Sequence, residues 1–314
     1  MIKMLGHCLA ASLVLLCTGL VAEDFSIGFA HADLNNGYYR AMDKTVRSQA
    51  LKRGVDVMVH NADNNSVLQN QQINALIDQG VKGLLIDSVS EYATMPAIKR
   101  AVRQGIAVVA IDRPLYGDYL AYVGIDQWRA GELQGEYIAQ HLLPDGGNIV
   151  MLLGIPGEAA TIGRESGMLN VIQHPRLAGK FKILASYRAD YSMSLGYQKM
   201  KLAIEAFGNK IDLVYGLNDA MALGALKALR EAGLTRVMVT GIDGQKEAYA
   251  EIAHGGQYKS TVINNPTEIT RLAVDLLVDH LRTGQIPKSR DVMTGTVLVS
   301  PENVGQYLDA AASF

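Results

Sequence analysis

The segment DLVYGLNDAMALGALKALREAG, residues 212–233, contains in order the parts of one strand-to-helix unit. The apolar run DLVYGL predicts a strand that is buried on both faces. The amphipathic stretch from Asp219 predicts a helix that ends at Gly233, and Asn218 stands where the strand gives way to the helix. Because neighbouring parallel strands need a crossover helix between them, repetition of this unit predicts a parallel sheet.

The same alternation of apolar runs and amphipathic stretches continues through the rest of the chain. The candidate strands are FSIGFA (25–30), VDVMVH (55–60), GLLID (83–87), AVVAID (107–112), LAYVGI (120–125), NIVMLL (148–153), FKILAS (181–186), DLVYGL (212–217), RVMVTGID (236–243) and KSTVIN (259–264). The alternation breaks once, where LAYVGI follows AVVAID without a helix, and a new series begins at Asn148. We therefore predict an α/β protein with two doubly wound parallel-sheet lobes.

Three chain crossings are expected between the lobes, near Ile125, near Asn264 and after Pro287. The predicted lobes are residues 23–125 plus 265–290, and residues 126–264 plus 291–314. Open α/β sheets bind ligands at the carboxyl ends of their parallel strands. We therefore expect the ligand cleft between the lobes, where the strand ends of both sheets meet.

Residues 1–22 have the composition of a cleavable secretion signal. Lys3 supplies a positive start, residues 9–16 are apolar, and Ala22 is a small residue before the expected cleavage site. The segment is too short, and too soon followed by polar residues, to span a membrane. We therefore expect a periplasmic protein. Cys17 leaves lipidation open, although the bulky residue before it differs from the small residue usual at lipidated cysteines.

The composition argues against several classes of partner and chemistry. The 314 residues carry a net charge of −2 without a run of lysines or arginines, so no nucleic-acid partner is expected. Both cysteines, Cys8 and Cys17, lie in the signal segment, so the mature chain has no disulfide and no thiol nucleophile. We expect no metal, no cofactor and a monomeric protein.

Polar and aromatic residues gather where the predicted strands of both lobes end. The stretches concerned are LNNGYY (34–39), DRP (112–114), GRESG (163–167), GLND (216–219), GIDG (241–244) and INNP (263–266). Taken singly, Asp112, Asn218 and Asp243 could cap helices, and the arginines and tyrosines could be surface or packing residues. Taken together, these residues are expected to meet in one cleft.

The residue types in these stretches suit the recognition of a sugar. Because hydroxyls both donate and accept hydrogen bonds, a sugar needs carboxylate and amide oxygens beside guanidinium donors. The apolar C–H faces of a sugar ring can pack on tyrosine rings. Tyr38 and Tyr39 are adjacent at a helix start, so their side chains diverge by about 100° and we expect different roles for them.

At these residues the sequence resembles the bacterial periplasmic sugar-binding proteins of the ribose-binding type, the soluble receptors of ABC sugar importers. The resemblance covers LNNGYY, NADNN, IDRP, GRESGM, GLNDAMALGALKAL and VTGIDG in order, over essentially the whole mature chain. It implies a sugar or polyol ligand and a membrane permease as partner. It also implies ligand contacts from Asn36, Tyr38, Tyr39, Asp112, Arg113, Arg164, Tyr191, Asn218, Asp243 and Asn264.

The sequence departs from that family at several positions of the expected pocket. Tyr38, Tyr39 and Tyr191 stand where Phe is usual, Ile242 replaces an aromatic residue, and Asn264 replaces a longer Gln. The pocket is therefore expected to be more polar at three points and thinner at one. A different pentose, a small hexose or a sugar alcohol is expected to fit as well as ribose.

Other classes of function share parts of this pattern. An enzyme is not indicated, since HExxH and GxSxG motifs are absent and GEAATIG (157–163) lacks the Lys-Ser/Thr pair of a phosphate-binding loop. Asp112 and Asp243 could also form an acid–base pair. A sugar-responsive repressor would carry a DNA-binding segment where the signal stands. A chemotaxis or sensor-kinase receptor shares the binding step and differs only in its partner.

Overall fold

Residues 25–309, 312 and 314 are described by this computed structural model, and they form two α/β lobes, each built on a six-stranded sheet. The predicted signal segment, residues 1–22, lies outside the described residues. Within the described part of the chain, no helix combines the length and the apolar character needed to cross a membrane.

The first lobe begins as an alternation of strands and helices. Its elements are β1 (Ser26–His31), α1 (Gly37–Lys52), β2 (Asp56–Asn61), α2 (Ser66–Asp78), β3 (Gly83–Ile86), α3 (Met95–Arg103), β4 (Ala107–Ile111) and β5 (Ala121–Gly124). The strands are parallel in the order β2–β1–β3–β4–β5, with Ser26 opposite Asp56 and Ile27 opposite Gly83. Helices cover both faces of the inner strands, which explains their uninterrupted apolar sequences.

The second lobe repeats this arrangement. Its elements are α4 (Gln127–Tyr137) with a π-helical continuation (Ile138–Leu142), β6 (Gly147–Leu153), α5 (Ala159–Ile172), β7 (Phe181–Arg188), α6 (Met193–Phe207), β8 (Leu213–Gly216), α7 (Asp219–Glu231), β9 (Met238–Thr240), α8 (Lys246–Ala253) and β10 (Tyr258–Val262). These strands are also parallel, in the order β7–β6–β8–β9–β10. Short 3₁₀ turns occur at Pro175–Leu177, Gly208–Lys210 and Val304–Gln306.

The last part of the chain returns to the first lobe and then crosses back. Helix α9 (Pro266–Thr283) packs against α1, β3 and β4 of the first lobe. Strand β11 (Asp291–Met293) pairs in parallel with β5, and β12 (Leu298–Val299) pairs in antiparallel with β10. The third crossing therefore lies between residues 293 and 298.

This crossing corrects one predicted boundary, which assigned residues 291–314 to the second lobe. Asp291–Met293 instead extends the edge of the first sheet, and the backbone N–H of Thr294 still donates to Gly124 O at 2.8 Å. Both β11 and β12 are absent from the predicted strands, because strands of two or three residues are too short to show an alternation of apolar and polar residues. The ten predicted strands are present, and the predicted α/β class is confirmed.

Glycines allow two pairs of helices to pack with their backbones in close approach. A Cβ at Gly224 of α7 would lie 2.2 Å from the carbonyl oxygen of Met193 in α6, and a Cβ at Gly167 of α5 would lie 2.1 Å from the carbonyl oxygen of Trp128 in α4. Real Cβ atoms do not approach an oxygen so closely, so a side chain at either position would separate the helices. The glycines in GRESG and MALGAL are therefore packing residues, and they fix the helices that begin at the cleft.

Candidate ligand-binding site

The ten residues predicted from the sequence line one cavity between the two lobes, together with Glu158 and Ala160. The cavity, counted with its open mouth, measures about 370 Å³. The space inside it that a water-sized sphere can reach is only about 40 Å³, so the lining side chains lie close together in this structure. Its mouth widens into the cleft between the lobes, where the ring of Phe314 meets the ring of Tyr38 edge-on at 5.3 Å.

Asn36 places the first wall of the cavity by capping helix α1. Its extended backbone (φ −123°) and its side-chain oxygen, which accepts from the backbone N–H of Tyr39 at 3.0 Å, form a standard N-cap. The cap uses the amide oxygen and thereby fixes the orientation of the amide NH₂ group. Asn36 can therefore cap the helix and still donate to a ligand.

Tyr38 and Tyr39 lie perpendicular to each other in the first turn of α1. Their ring planes meet at 89° with centroids 5.8 Å apart, and each residue is 8% exposed. The Tyr38 hydroxyl donates to Asp112 Oδ1 at 2.6 Å, and the Tyr39 hydroxyl accepts from Arg113. The two rings cannot both lie flat on one ligand face. The two hydroxyls, which phenylalanine would lack, hydrogen-bond to Asp112 and Arg113 and so orient these charged side chains.

Asp112 and Arg113 follow β4 in a turn with unusual backbone geometry. Asp112 has φ +63°, and the backbone N–H of Arg113 donates to Ile111 O at 2.6 Å, which closes a three-residue turn. The Tyr122 hydroxyl donates to the carbonyl of Asp112 at 3.0 Å and holds the turn. Asp112 is thus not a helix cap, and its side chain points to the Tyr38 hydroxyl in the cavity.

Arg164 lies in the second turn of α5, and protein acceptors hold most of its guanidinium. It donates to Gln127 Oε1 and to Leu217 O, both at 2.7 Å, and it forms an ion pair with Asp243 Oδ1 at 2.9 Å. Its side chain is 3% exposed. Burial opposes its charge, but the neighbouring Asp243 raises the pKa of Arg164 overall, so the guanidinium stays charged.

Asp243 is the partner of Arg164 in the second lobe. Its backbone has φ +127°, and its N–H donates to Val262 O at 2.8 Å. Burial raises the pKa of Asp243 to about 7, and the charge of Arg164 only partly offsets this effect. The carboxyl therefore titrates near neutral pH, and a donor that favours its ionised form would lower its pKa.

Asn218 and Tyr191 form the second-lobe wall that faces the tyrosine pair. Asn218 caps α7 by accepting from the N–H of Met221 at 2.9 Å, while its NH₂ group donates to Tyr191 O at 3.4 Å. Tyr191 has φ +59°, and its hydroxyl pairs with Thr161 Oγ1 at 2.7 Å. The capping role predicted as an alternative for Asn218 and its position in the cavity therefore occur together.

Asn264 joins the carboxylates of the two lobes at the second crossing. Its amide nitrogen lies 3.4 Å from Asp112 Oδ1 and 3.3 Å from Asp243 Oδ1. Its amide oxygen is buried and has no hydrogen-bond partner among the described residues. An unpaired buried acceptor costs about 1–3 kcal/mol, so this oxygen favours a ligand that donates to it.

Glu158 lines the cavity but is missing from the predicted set. It follows β6 at the residue before α5, and its carboxylate lies 3.5 Å from Arg113 of the other lobe. The sequence GEAATIG around it indicates only a helix start. The signal that could have found it is its place in a strand-to-helix turn of the same kind as those that carry Asn36 and Asn218.

Asp219 is a second residue whose role the sequence does not reveal. It is fully buried at the start of α7 and accepts from Tyr258, from Thr261 and from the backbone N–H of Gln245 at 2.7–2.9 Å. These bonds hold the loop that carries Asp243. Asp219 therefore positions a cavity residue although it does not line the cavity itself.

Metal binding has no support in the described part of the chain. Among residues 25–309, 312 and 314, no three His, Cys, Asp or Glu side chains are placed so that they could hold an ion. The carboxylates of the cavity pair instead with arginine, tyrosine and asparagine groups.

Two parallel-sheet lobes around one polar, arginine-rich cavity define a two-lobed solute-binding protein. The family model described as a periplasmic binding protein domain matches residues 27–286. The chain therefore belongs to the periplasmic binding protein domain family, whose members are binding proteins and not enzymes.

Proteins similar to this chain are named for the small solutes that they bind. The ribose import binding protein of Bacillus subtilis is 32% identical over 268 residues, which are 85% of this chain and 85% of that protein. The structure of a Caulobacter myo-inositol binding protein bound to myo-inositol is 29% identical, covers 92% of this chain and 98% of that chain, and has a TM-score of 0.83. The fructose-binding periplasmic domain of a hybrid two-component system is 26% identical, covers 90% of this chain and 93% of that chain, and has a TM-score of 0.80.

Proposed function

We propose that this protein captures a monosaccharide or a sugar alcohol between its lobes and delivers it to the membrane permease of an ABC importer. The observation that carries the proposal is that all ten predicted contact residues line the same interlobe cavity. The similarity to import proteins named for ribose and to a structure bound to myo-inositol supports a small, hydroxyl-rich ligand and a transporter as partner.

The polar groups of the cavity match the hydrogen-bonding needs of such a ligand. Asp112 and Asp243 each receive their protein hydrogen bonds on Oδ1, which leaves a second oxygen on each carboxylate for a hydroxyl donor. Arg113 and Arg164 supply donors from opposite lobes. A hydroxyl can accept from an arginine and donate to a carboxylate at once, and such charge-assisted bonds contribute about 1.5–3 kcal/mol each.

Contacts across the cleft support capture by lobe closure. Tyr38, Asp112 and Arg113 come from the first lobe, whereas Glu158, Arg164 and Asp243 come from the second. A ligand that contacts both sets favours the closed arrangement because it binds that arrangement more tightly. The three connections near residues 125, 264 and 294 are the proposed hinges.

A thermal-shift screen against pentoses, hexoses and sugar alcohols tests this proposal. A ligand at a hundred times its dissociation constant stabilises the folded state by about 2.7 kcal/mol, which gives a clear rise in melting temperature. Recovery of the same ligand unchanged after incubation separates binding from catalysis. Failure of every sugar and polyol to raise the melting temperature, or conversion of the ligand, would contradict the proposal.

A second candidate function is reception of the same ligand for a chemoreceptor or a sensor kinase. The similarity to the fructose-binding periplasmic domain of a hybrid two-component system favours keeping this alternative. Deletion of the gene separates the two roles. Loss of uptake of the labelled ligand indicates an importer, whereas normal uptake with a lost chemotactic or transcriptional response indicates a receptor.

We also propose that residues 1–22 direct export and that the mature protein works as a periplasmic monomer. The family match supports the periplasmic location. The cavity is lined within one chain, so the site needs no second copy. Mass spectrometry of the exported protein would locate the cleavage site, and light scattering would give the oligomeric state.

A further inference from the structure

Glu158 reaches across the cleft from the turn between β6 and α5. Its side chain is 13% exposed and lines the cavity beside Arg113, Tyr39 and Ala160. Although it is the residue before α5, its side chain makes no capping hydrogen bond to that helix. Its position therefore has no explanation in the local structure of the helix start.

The two oxygens of Glu158 have different surroundings. Oε1 lies 3.5 Å from Nη2 of Arg113. Oε2 is buried and has no hydrogen-bond partner within the described residues. A buried carboxylate oxygen needs a donor, and no protein group supplies one here.

The neighbouring guanidinium decides what kind of donor suits Glu158. Arg113 is itself buried, and it also donates to Ser88 O at 2.8 Å and to the Tyr39 hydroxyl. Burial raises the pKa of Glu158, and the positive charge of Arg113 offsets part of this effect. Because Arg113 already places a cation beside Oε1, we infer that the donor which Oε2 lacks is a neutral group such as a hydroxyl.

The cavity has two polar groups of side chains that share no hydrogen bond within the described chain, although their charges act on each other. In one group, Asn264 joins Asp112 to Asp243, and Arg164 pairs with Asp243. In the other, Glu158 and Tyr39 both contact Arg113. Within the described chain, the second group forms no side-chain hydrogen bond or ion pair with Asn264, Asp243 or Arg164. A ligand that satisfies both groups must extend from one to the other.

We propose that Glu158 is a specificity-determining residue that accepts a hydrogen bond from the exocyclic hydroxymethyl group of the ligand, so that the protein selects hexoses over pentoses. This inference rests on the proposed function and narrows its ligand class. A sugar ring reaches the Asp112–Asn264–Asp243 group, and the additional carbon and hydroxyl of a hexose reach Glu158. A pentose leaves Oε2 of Glu158 unpaired.

Calorimetric titration with matched sugars tests this inference. D-glucose and D-xylose, and likewise D-galactose and L-arabinose, differ only in the hydroxymethyl group, and the 6-deoxyhexoses lack only its hydroxyl. The wild type should bind one hexose at least about tenfold more tightly than both its pentose and its 6-deoxy counterpart, the loss expected when a buried acceptor is left unpaired. Glu158→Ala should reduce this preference to less than about threefold, because it removes the acceptor that only the hexose uses.

Two further variants serve as controls. Glu158→Gln keeps the shape and one acceptor oxygen, so it should fold as the wild type does and show an intermediate preference. Glu165→Gln makes the same change further along α5 in a residue that does not line the cavity, and it should alter neither affinity nor preference.

Four outcomes would overturn the inference. Equal loss of hexose and pentose affinity in Glu158→Ala would show that Glu158 acts by joining the lobes through Arg113 and not by contacting the hydroxymethyl group. Tighter binding of a pentose by the wild type would contradict the ligand class. Tighter binding of a 6-amino-6-deoxyhexose than of the parent hexose would contradict the neutral donor. Absence of binding to every monosaccharide would overturn this inference, and absence of binding to every sugar alcohol as well would contradict the proposed function.

Discussion

Asn36 and Asn218 show how single residues combine a structural role with a place in the cavity. Each caps a helix with its amide oxygen, at 3.0 Å and 2.9 Å from the capped N–H group. The cap is stabilising in its own right, and it also leaves the NH₂ group in a fixed orientation at the cavity. Two candidate contacts are thus oriented before any ligand arrives.

Backbone strain is concentrated at the same cavity. Asp112, Tyr191 and Asp243 all have positive φ, and they are half of the non-glycine residues with this conformation in the described chain. Such conformations cost about 1–3 kcal/mol each and persist only where the surroundings enforce them. The hydrogen bond from the Tyr122 hydroxyl to the carbonyl of Asp112 holds one of these conformations. The bond from the backbone N–H of Asp243 to Val262 O holds another.

Substitution of the paired tyrosines should separate stacking from hydrogen bonding. Since the rings are perpendicular, one ring is expected to lie flat on the ligand and to tolerate Tyr→Phe, while the other should lose affinity on either Tyr→Phe or Tyr→Ala. Loss of a neutral hydroxyl bond corresponds to about 0.5–1.5 kcal/mol, and Tyr→Ala adds the loss of the stacking surface. Calorimetry of Tyr38 and Tyr39 variants measures this. Unchanged affinity in both Tyr→Ala variants would make the rings core packing only.

Ligand affinity should rise with pH through the titration of Asp243. Burial raises the pKa of Asp243 to about 7, and hydroxyl donors from the ligand favour the ionised form, so binding releases a proton below that pH. Affinity should therefore increase from about pH 5 to about pH 8, by up to about tenfold per pH unit where binding releases a full proton. Calorimetry in buffers of different ionisation enthalpy detects the proton.

The matched variant for this prediction is Asp243→Asn. It keeps the shape of the side chain but cannot titrate, so its affinity should be lower and independent of pH. A wild-type affinity that does not change with pH over this range would contradict the assignment to Asp243. So would an Asp243→Asn variant whose affinity rises with pH as steeply as that of the wild type.

At the level of the elements, glycines in two helix pairs fix the residues that begin at the cleft. Gly167 lets α5, which carries Arg164, lie against α4, and Gly224 lets α7, which Asn218 caps, lie against α6. The packing of these helices thus helps to set the positions of the candidate contact residues Arg164 and Asn218.

Replacing Gly224 by Ala should destabilise the second lobe. The added Cβ would lie 2.2 Å from the carbonyl oxygen of Met193, and overpacking of this kind costs about 1–3 kcal/mol. Gly305→Ala is the matched control, because a Cβ there has nothing within 4 Å, and its effect should stay within about 0.5 kcal/mol. Urea unfolding measures both free energies. Equal stability of the two variants would show that α6 and α7 separate without cost.

The sequence predicts the elements well where they are long and periodic. All ten predicted strands are found because buried parallel strands are uninterrupted apolar runs. The ten predicted contact residues lie together because they follow strand ends, in the loops or in the first two turns of the next helix, and topology brings these places to one cleft. Residues such as Glu158 and Asp219 could not be predicted, because their roles depend on contacts with the other lobe or with a distant loop rather than on local pattern.

At the scale of the whole molecule, two lobes with the same strand order face each other across one cavity. The strand order β2–β1–β3–β4–β5 of the first lobe matches β7–β6–β8–β9–β10 of the second. The carboxyl ends of both sheets therefore meet at the cleft. The three connections between the lobes follow immediately after β5, β10 and β11.

Ligand binding should close the lobes in solution. If the connections near residues 125, 264 and 294 act as hinges, the ligand shifts the population towards the closed form and reduces the radius of gyration. Small-angle X-ray scattering with and without saturating ligand measures this change. An identical scattering profile in both states would indicate a rigid site.

The central claim is that the interlobe cavity binds a sugar or a sugar alcohol, and calorimetric titration of the wild type and of Arg164→Lys tests it most directly. Lysine keeps the charge but loses the planar guanidinium that pairs with Asp243 and donates to Gln127. We predict binding of one ligand per wild-type chain and an affinity at least about tenfold lower in the variant, as for the loss of a charge-assisted bond. Wild-type affinity in Arg164→Lys, or no sugar or polyol bound by the wild type, would contradict the claim.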